Sequence, residues 1–466
     1  MNVDVVIAGG GPVGTTLGIA LGRRGVSHVV VERQAEIYPL PRAIVMDAEV
    51  RSALLALGVS PSLADHLTTM TRADFVQPDG TEIMGIDTAG LTLFGVPAVS
   101  CHYQPELEEF LHGEARAAGS VRIDGVEVID HRQDADGVDV QLSDGTTVST
   151  KYLVACDGAS SAIRKREGIA LTDLKFDQEW IVVDVELDDA TKAKLPDATR
   201  QVCDPKRPTT LVRGHRNYYR WEFQLQPDED PAAMNERESV KRLLAPWVDL
   251  DAVKILRHAR YRFHGLVAES MSSGRVFLAG DSAHQMPPFM GQGLNSGMRD
   301  ALNLAWKLAL VLGGNAPTSL LETYSPERIA HSTDTVAHSV DTGRLIDQLA
   351  GRVSHGMDHS AGYGGPRPAA RLGAGFHIGE DVRVGSPFAH IHLVDPTFVR
   401  EGRFAVVSSS PMEAPLDMFG RRVDSLVVDA ALVGADSVLV RPDGYVAAVG
   451  GSPDELRSAV AQLVAR

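Results

Sequence analysis

Residues 3–14 read VDVVIAGGGPVG, an apolar run that passes directly into a cluster of glycines. The apolar run at residues 3–8 is typical of a short buried parallel strand. Residues 15–24 then predict a helix, because apolar side chains recur on one face and Gly25 follows near its end. Residues 29–31 predict the next strand. Strand, tight turn, helix and strand therefore form a βαβ unit within about thirty residues.

The glycine cluster matches the dinucleotide-binding pattern G-x-G-x-x-G. In that pattern the first glycine permits the tight turn, the second lets the backbone approach a pyrophosphate, and the third allows close helix–strand packing. The helix N-terminus offers N–H donors and a positive dipole to the phosphates. Glu32, at the end of the second strand, can accept hydrogen bonds from an adenosine ribose. A glycine-rich turn without a ligand is the alternative that this context disfavours. The candidate cofactor-binding residues of the unit are Gly9, Gly11, Pro12, Gly14, Glu32 and Arg33.

The composition is that of an ordinary folded protein of several domains. The chain has 466 residues, of which 44% are hydrophobic and 23% charged. Lys and Arg number 45 against 61 Asp and Glu, so the formal net charge is −16 and nucleic acid is an unfavourable partner. Three scattered cysteines (Cys101, Cys156 and Cys203) fit a reducing cytoplasm. We expect a cytoplasmic protein, because no secretory signal or membrane-spanning run is visible.

Two later segments place an aspartate just beyond a predicted strand. Asp157 lies in CDGASSAIR (residues 156–164), and Asp281 lies in GDSAH (residues 280–284). Ligands of open α/β sheets bind at such strand ends, where an aspartate can accept hydrogen bonds from the ribityl hydroxyls of a flavin. Taken alone, each aspartate could equally be a helix cap or a turn residue.

Together these segments resemble the FAD-dependent aromatic hydroxylases, the single-component flavoprotein monooxygenases. That family carries G-x-G-x-x-G, then D-G-x-x-S-x-x-R, then G-D-x-A-H with P-x-x-G-x-G-x-N, and this chain has all of them within about residues 1–345. Residues 41–44, 180–184, 203–205 and 291–307 are most similar to the 3-(3-hydroxyphenyl)propionate hydroxylase branch.

The resemblance implies an α/β fold with three parts. They are a discontinuous Rossmann-like FAD-binding domain (1–75, 98–175 and 268–350), an inserted β-sheet substrate domain (76–97 and 176–267), and a small C-terminal domain. Residues 351–375 are rich in glycine and predict a linker. Residues 376–466 resemble the thioredoxin-like appendage of these hydroxylases but contain no cysteine, so dithiol chemistry is excluded there. A homodimer is compatible with the resemblance.

The resemblance also implies roles for particular residues. Asp281 would hold the ribityl chain, and Arg42 would reach the FAD phosphates. Gln104 matches a position that faces FAD, although both Arg42 and Gln104 could be plain loop residues. The further cofactor-binding candidates are Asp157, Pro288, Gly291, Gly293, Leu294 and Asn295, the last three along the isoalloxazine ring. Phe289 and Gln292 are expected to form the wall of the substrate site.

The implied reaction uses NADH or NADPH to reduce FAD, and O2 to form a flavin C4a-hydroperoxide that hydroxylates a phenol. The catalytic candidates are Tyr218, Arg220 and His215. Strand alternation places Tyr218, Arg220 and Glu222 on one face, and Tyr219, Trp221 and Phe223 on the other. One face is expected to line the cavity, although plain sheet packing is the alternative for each residue. An anionic substrate tail would need an arginine, and the choice among Arg207, Arg213, Arg216 and Arg220 stays open.

Other functions were weighed against this hypothesis. Epoxidation, Baeyer–Villiger oxidation or natural-product tailoring on the same scaffold is the main alternative, and a flavin-binding module without catalysis is a further one. The pairs His355/His359 and His390/His392 lack a third ligand, so we expect no metal site. His331 and His338 are expected to face solvent from a long helix. No second nucleotide-binding motif is present for a resident nicotinamide.

Overall fold

A computed structural model describes residues 2–352, 370–409, 417–433 and 436–465. Most of the predicted linker, with His355 and His359, lies outside these residues. The strands in chain order are β1 (Asn2–Ala8), β2 (His28–Glu32), β3 (Val45–Asp47), β4 (Leu67–Thr69), β5 (Arg72–Val76), β6 (Glu82–Asp87), β7 (Thr92–Leu93), β8 (Val96–Pro97), β9 (Val99–His102), β10 (Val121–Asp124), β11 (Val128–Gln133), β12 (Val138–Leu142), β13 (Thr147–Ala155), β14 (Leu171–Leu187), β15 (Thr199–Val202), β16 (Thr209–Arg213), β17 (Tyr218–Gln224), β18 (Val253–Ala268), β19 (Ser272–Ser273), β20 (Val276–Leu278), β21 (His284–Gln285), β22 (Ala405–Ser408), β23 (Asp417–Met418), β24 (Arg421–Arg422), β25 (Asp424–Val427), β26 (Ser437–Val440) and β27 (Val446–Gly450).

The helices follow the same order. They are α1 (Pro12–Gly22), α2 (Ala48–Ala56), α3 (Gln104–Ala117), α4 (Ala162–Arg166), α5 (Asp189–Lys192), α6 (Pro231–Met234), α7 (Arg237–Leu244), α8 (Gln292–Leu312), α9 (Ser319–Glu322), α10 (Tyr324–Leu349), α11 (Thr397–Arg400), α12 (Ala430–Val433) and α13 (Pro453–Val464). Short 3₁₀ helices occupy Pro61–His66, Leu250–Ala252, Gly280–Ser282, Pro288–Met290 and Ile391–Leu393.

The first sheet is the expected doubly wound core. Strands β10, β2, β1, β13 and β20 run parallel in that order, and the antiparallel hairpin β11–β12 continues beside β13. The apolar run of β1 is buried because helices cover both faces of a parallel sheet. Helix α1 begins at Pro12, three residues before the predicted start, because proline is accommodated in the first helical turn.

The second sheet is inserted into the first domain, as predicted. Its order is β21-β18-β14-β17-β16-β15-β5-β6, built around the long antiparallel pair β14 and β18. The sheet pairing places the first boundary at residue 72 rather than 76 and the second at 171 rather than 176, because β5 and all of β14 pair within this sheet. The division of the chain into domains remains our interpretation.

The C-terminal part forms a small sheet in the order β25-β22-β26-β27, closed by α13. The apolar runs at residues 404–407, 425–428, 437–440 and 445–449 predict four strands, and residues 453–465 predict a helix. The observed elements lie close to these positions. Its core includes Phe404, Leu439 and Leu456, and these pack against Trp306 and Leu310 of α8. The C-terminal domain therefore shares a hydrophobic core with the helix that begins at the candidate site.

One orientation expected from the sequence is wrong. His331 is 2% exposed on α10 rather than facing solvent, whereas His338 is exposed as predicted. His331 is buried because α10 packs against α8 and β18, which covers the face that carries it. Among the described residues, no helix is long and apolar enough to cross a membrane.

Candidate functional site

Of the three motif glycines in the turn after β1, only Gly11 has open space next to it. A Cβ atom on Gly9, whose φ is +108°, would lie 2.2 Å from the carbonyl oxygen of Cys156. A Cβ on Gly14 would lie 2.0 Å from the carbonyl oxygen of Gly9. A Cβ on Gly11, in contrast, would meet no described atom within 4 Å. The turn is thus packed against protein on both sides and open at Gly11, as a pyrophosphate-binding turn requires.

The start of α1 and the end of β2 meet at this turn. Gly11 is the N-cap of α1, and within the described residues no side chain caps its first N–H groups. Those donors are available to an anion. The Glu32 carboxylate accepts hydrogen bonds from the backbone N–H of Gly10 at 2.6 Å and of Gln34 at 2.9 Å. Glu32 therefore also shapes the turn, while Arg33 beside it is exposed.

Gln104 holds the loop that carries Arg42. Its Oε1 atom accepts hydrogen bonds from the backbone N–H of Arg42 at 3.0 Å and of Ala43 at 2.6 Å, and its Nε2 donates to Glu108. The side chain is buried, so it positions the loop. The exposed Arg42 guanidinium lies over the ring of Tyr38, at 5.1 Å from the ring centroid.

The two aspartates beyond the strand ends remain open to a ligand. Asp157 accepts one weak hydrogen bond, from the Ile163 N–H at 3.3 Å, and its buried Oδ1 has no partner in the described structure. Asp281 is accessible, and surrounding protein raises the pKa of its carboxyl group, opposed by the charges of His284 and Arg42. The charge of Arg42 therefore acts on Asp281, although the two residues come from distant parts of the chain.

The loop before α8 combines a constrained glycine with an open one. Gly291 has φ +61° and lies against Val45, where a Cβ would be 2.6 Å from the valine Cβ. Above Gly293, no described atom lies within 4 Å of a Cβ position. The buried Asn295 side chain accepts a hydrogen bond from the Asp47 N–H and donates to the carbonyl oxygens of Val45 and Gly291. Asn295 thus holds the loop in place, and Leu294 packs partly buried beside it.

A buried carboxylate behind this loop connects it to the following helices. Asp300 of α8 accepts hydrogen bonds from the Gly280 N–H at 2.9 Å, His284 Nε2 at 2.7 Å and Arg328 Nε at 2.7 Å. Burial opposes ionisation of Asp300, but the charges of His284 and Arg328 lower its pKa below the ordinary value. The GDSAH segment, α8 and α10 therefore meet at one carboxylate, which sequence reasoning missed.

Phe289 joins the loop to the second sheet. Its ring makes edge contacts with Trp180 of β14 at 5.4 Å, Phe263 of β18 at 5.7 Å and Phe176 at 6.1 Å between centroids. Pro288 lies beside it and is half-buried. Gln292 accepts a hydrogen bond from Arg299 at 3.2 Å. The inner face of the second sheet is therefore the surface that faces this loop.

The catalytic candidates do not all belong to that surface. The Tyr218 hydroxyl and Arg220 Nε both donate to Asp184 at 2.6 Å, and Arg220 also donates to the Arg42 and Pro41 carbonyl oxygens. Their polar groups are engaged in holding the Arg42 loop on the sheet. His215 lies in the β16–β17 turn, where its Nδ1 contacts Thr68 Oγ1 at 2.9 Å. No contact joins it to Phe289 or Gln292 in the part of the chain that the structure describes.

The expected alternation of the β17 strand is present. Tyr219, Trp221 and Phe223 pack with α7 in the core on the outer face, and Tyr218, Arg220 and Glu222 lie on the inner face. Asp184, Arg257 and Tyr261 join this inner face from β14 and β18, and sequence reasoning missed all three. Glu222 was placed on the correct face by the alternation alone.

The residues present fit a bound flavin nucleotide. There is open space above Gly11 and Gly293, and the start of α1 is uncapped. Asp157 has an oxygen without a partner in the described structure, and the charge of Arg42 acts on Asp281. Such an arrangement suits a pyrophosphate, a polyhydroxylated chain and a flat ring in that order. Within the described residues, no group of three or more His, Cys, Asp or Glu side chains could hold a metal ion.

Fold and site together define a flavoprotein of the Rossmann-like class with an inserted sheet. The chain belongs to the FAD binding domain family, whose model matches residues 2–339. The expected cofactor, FAD, and the resemblance on which it rested are confirmed. FAD supplies redox chemistry when bound, and the protein supplies binding and orientation.

Two relatives illustrate the similarity in sequence. "Probable NADH-specific resorcinol 4-hydroxylase" of Rhodococcus jostii (strain RHA1) is 35% identical over 352 residues, covering 74% of this chain and 65% of that protein. "3-(3-hydroxy-phenyl)propionate/3-hydroxycinnamic acid hydroxylase" of Mycobacterium sp. (strain KMS) is 36% identical over 361 residues, covering 75% of this chain and 61% of that protein. The matches thus span less than two thirds of each of these relatives.

Solved structures show the same fold over the whole chain. The flavin-dependent monooxygenase PieE in complex with FAD and substrate has a TM-score of 0.81 at 24% identity and covers 100% of this chain and 99% of its own. Aklavinone-11 hydroxylase with FAD and aklavinone has a TM-score of 0.83 at 23% identity, with the same coverage. At these identities the likeness supports the fold, including the inserted sheet and the C-terminal domain.

Proposed function

We propose that the protein is an FAD-dependent monooxygenase that hydroxylates a phenolic ring, with NADH or NADPH as electron donor and O2 as oxidant. The observation that carries the proposal is the contact of Phe289 with Trp180 and Phe263. It brings the flavin-binding loop onto an aromatic surface suited to a flat ring. The two relatives described above bear the names of hydroxylases of phenolic compounds.

The residues of the site divide into three proposed tasks. Gly11, the start of α1 and Arg42 bind the phosphates, and Asp157 and Asp281 bind the sugar and ribityl hydroxyls. Gly291, Gly293 and Asn295 shape the loop along the flavin ring. Phe289 and its aromatic neighbours exclude water and orient the substrate ring. The small C-terminal domain packs on α8, and we assign it no redox chemistry because it lacks cysteine.

The test is NADH and NADPH oxidation by the purified holoprotein with a panel of phenols, followed by H2O2 and product mass. One phenol is expected to accelerate oxidation and to gain about 16 mass units, with little H2O2 because the closed site protects the reaction from water. A bound flavin whose oxidation rate no phenol changes would contradict the proposal. A mass change typical of ring or chain cleavage would instead indicate another oxidation on this scaffold.

A further inference from the structure

Glu222 is a buried acid on the inner face of the second sheet, with one long ion pair and no hydrogen-bond donor among the described residues. It is 4% exposed and lies on β17 between Val182 of β14 and Thr210 of β16. In the described structure its carboxylate accepts no hydrogen bond, and the nearest cation, Arg220 Nη1, lies 3.9 Å away. Buried carboxylates normally have hydrogen-bond partners. Glu222 accepts no hydrogen bond and lies on the sheet face whose Trp180 contacts Phe289 of the flavin-binding loop, so it indicates a place for a ligand donor.

The other acids of the same face already have partners. Asp184 receives hydrogen bonds from Tyr218 and Arg220, with Arg257 at 3.6 Å. Asp347 of α10, which lies against this face, receives them from Gln178 and Gln224. Among the described acids of the inner face, Glu222 is therefore the one that lacks a protein donor. The Glu222 side chain keeps a small exposed fraction of 5%, whereas that of Asp184 is 0% exposed.

The arginines considered for an anionic substrate tail are all engaged elsewhere. Arg207 pairs with Glu229, Arg213 with Asp197, Arg216 with Glu106 and Arg220 with Asp184. Arg257 faces inward but donates to the Pro41 carbonyl oxygen at 2.7 Å and contacts Tyr261. A carboxylate placed among these groups would meet the Glu222 carboxylate without a free guanidinium to balance it, which costs free energy in a buried site.

We propose that Glu222 is a catalytic residue that binds a hydroxyl group of an uncharged phenolic substrate and accepts its proton. The O–H bond breaks, the electron pair stays on the phenolate oxygen and the proton moves to a Glu222 oxygen. The phenolate ring is then the better nucleophile for oxygen transfer. This inference rests on the proposed function and names its substrate class: phenols without a carboxylate.

The charges around Glu222 support this role. Burial raises the pKa of Glu222 to about 7, with Arg220 lowering it and Asp184 raising it. Tyr218 and Arg220 on its own strand and Asp184 on β14 are the charged or titratable groups close to it, while β16 contributes the uncharged Thr210. A base with a pKa near the working pH is effective in proton transfer. Activity should therefore rise as the pH increases through about 7.

The first experiment compares Glu222→Gln with Glu186→Gln, a matched control on the same sheet whose acid is exposed and paired with Lys254. With resorcinol as probe, Glu222→Gln is expected to lower kcat/KM about 100-fold and to remove the rise near neutral pH. Glu186→Gln should behave as the wild type. Full flavin content in both variants shows that the fold is intact. Unchanged kcat/KM and an unchanged pH profile in Glu222→Gln would overturn the proposal.

The second experiment needs no variant and decides the matter if Glu222→Gln fails to bind FAD. The wild-type protein is given resorcinol or 3-(3-hydroxyphenyl)propionate, and kcat/KM for the acid is expected to be lower by about tenfold or more. An acid that is used as well as resorcinol, with product formed, would overturn the inference and leave the hydroxylase function standing. If no phenol stimulates NADH or NADPH oxidation, the proposed function itself fails, and the inference fails with it.

Discussion

At the scale of single residues, Gly14 has no room for a side chain, whereas Gly11 does. Gly14 faces the Gly9 carbonyl oxygen, 2.0 Å from its Cβ position, so any side chain there must push α1 away from the turn after β1. Gly11 faces open space in the cleft and has φ −68°, which any residue can adopt. The same substitution should therefore affect folding at one position and ligand binding at the other.

We expect Gly14→Ala to destabilise the protein and to prevent FAD retention, because strained packing of this kind costs about 1–3 kcal/mol or more. Gly11→Ala should keep the unfolding temperature of the apoprotein but weaken FAD binding, because its methyl group projects to where the pyrophosphate would lie. Thermal unfolding and flavin absorbance of both purified variants measure this. Equal loss of apoprotein stability in the two would show that the space above Gly11 is not a ligand space.

At the scale of elements, helix α8 joins the flavin-binding loop to the C-terminal domain. Its first turn follows the loop, and its middle carries Lys307, which donates to Glu327 of α10 at 2.8 Å. Glu327 also accepts hydrogen bonds from Arg441, in the C-terminal sheet, at 3.0 and 2.9 Å. Asp443 completes the cluster by accepting from Arg441 and Trp306. The cluster is buried and charge-assisted, so each member depends on the others.

Replacing one acid of this cluster should be costly. Glu327→Gln leaves Lys307 and Arg441 buried with one counter-charge fewer, and we expect a loss of about 3–5 kcal/mol in the free energy of unfolding. Burial opposes ionisation of Glu327, but Arg441 and Lys307 lower its pKa far below the ordinary value, so it is charged in the native protein. Urea unfolding of this variant and of Glu322→Gln, an exposed site on α9, provides the comparison. Equal stability of the two variants would contradict the assignment.

At the scale of the whole molecule, buried neutral histidines make stability depend on pH. Burial lowers the pKa of His102 to about 3, with His215 and Arg220 adding to the effect. Burial likewise lowers the pKa of His331 well below its ordinary value. The unfolded chain therefore binds more protons than the native protein below about pH 6.5, and the free energy of unfolding falls as the pH decreases.

His102 offers a clean test, because neither of its ring nitrogens has a partner among the described residues. His102→Phe removes the proton site without removing a hydrogen bond. Between pH 7 and pH 5, we expect the free energy of unfolding of the variant to fall by about 2 kcal/mol less than that of the wild type. His338→Gln, at an exposed site, should keep the wild-type dependence. Unfolding curves at both pH values measure the difference. An equal fall in the free energy of unfolding for His102→Phe and the wild type would contradict the assignment of this pH dependence to His102.

Much of the fold followed from local pattern. The βαβ unit and the four C-terminal strands lie within a few residues of their predicted positions, because burial periodicity and turn residues act over short stretches of chain. The alternation on β17 was also predicted correctly, since successive side chains of a strand point to opposite faces. The predicted domain boundaries stay a prediction; β5 and β14 begin before two of them, at residues 72 and 171, because strand pairing joins segments far apart in sequence.

The residues of the candidate site also fall into those that the local sequence predicts and those whose state depends on the tertiary structure. Gly9 and Gly14 could be assigned from the sequence by itself, because the steric demands of a tight turn select glycine wherever the turn occurs. Gly11 was proposed from the spacing of the same motif, as the position that leaves room for a ligand. Only the tertiary structure decided that Arg220 and Tyr218 are committed to Asp184, that His331 is buried, and that Glu222 accepts no hydrogen bond in the described structure. Whether a charged side chain is paired or available depends on residues brought in by β14, β16 and the Arg42 loop. Burial and pairing are properties of the assembled sheet, and no local stretch of sequence contains them.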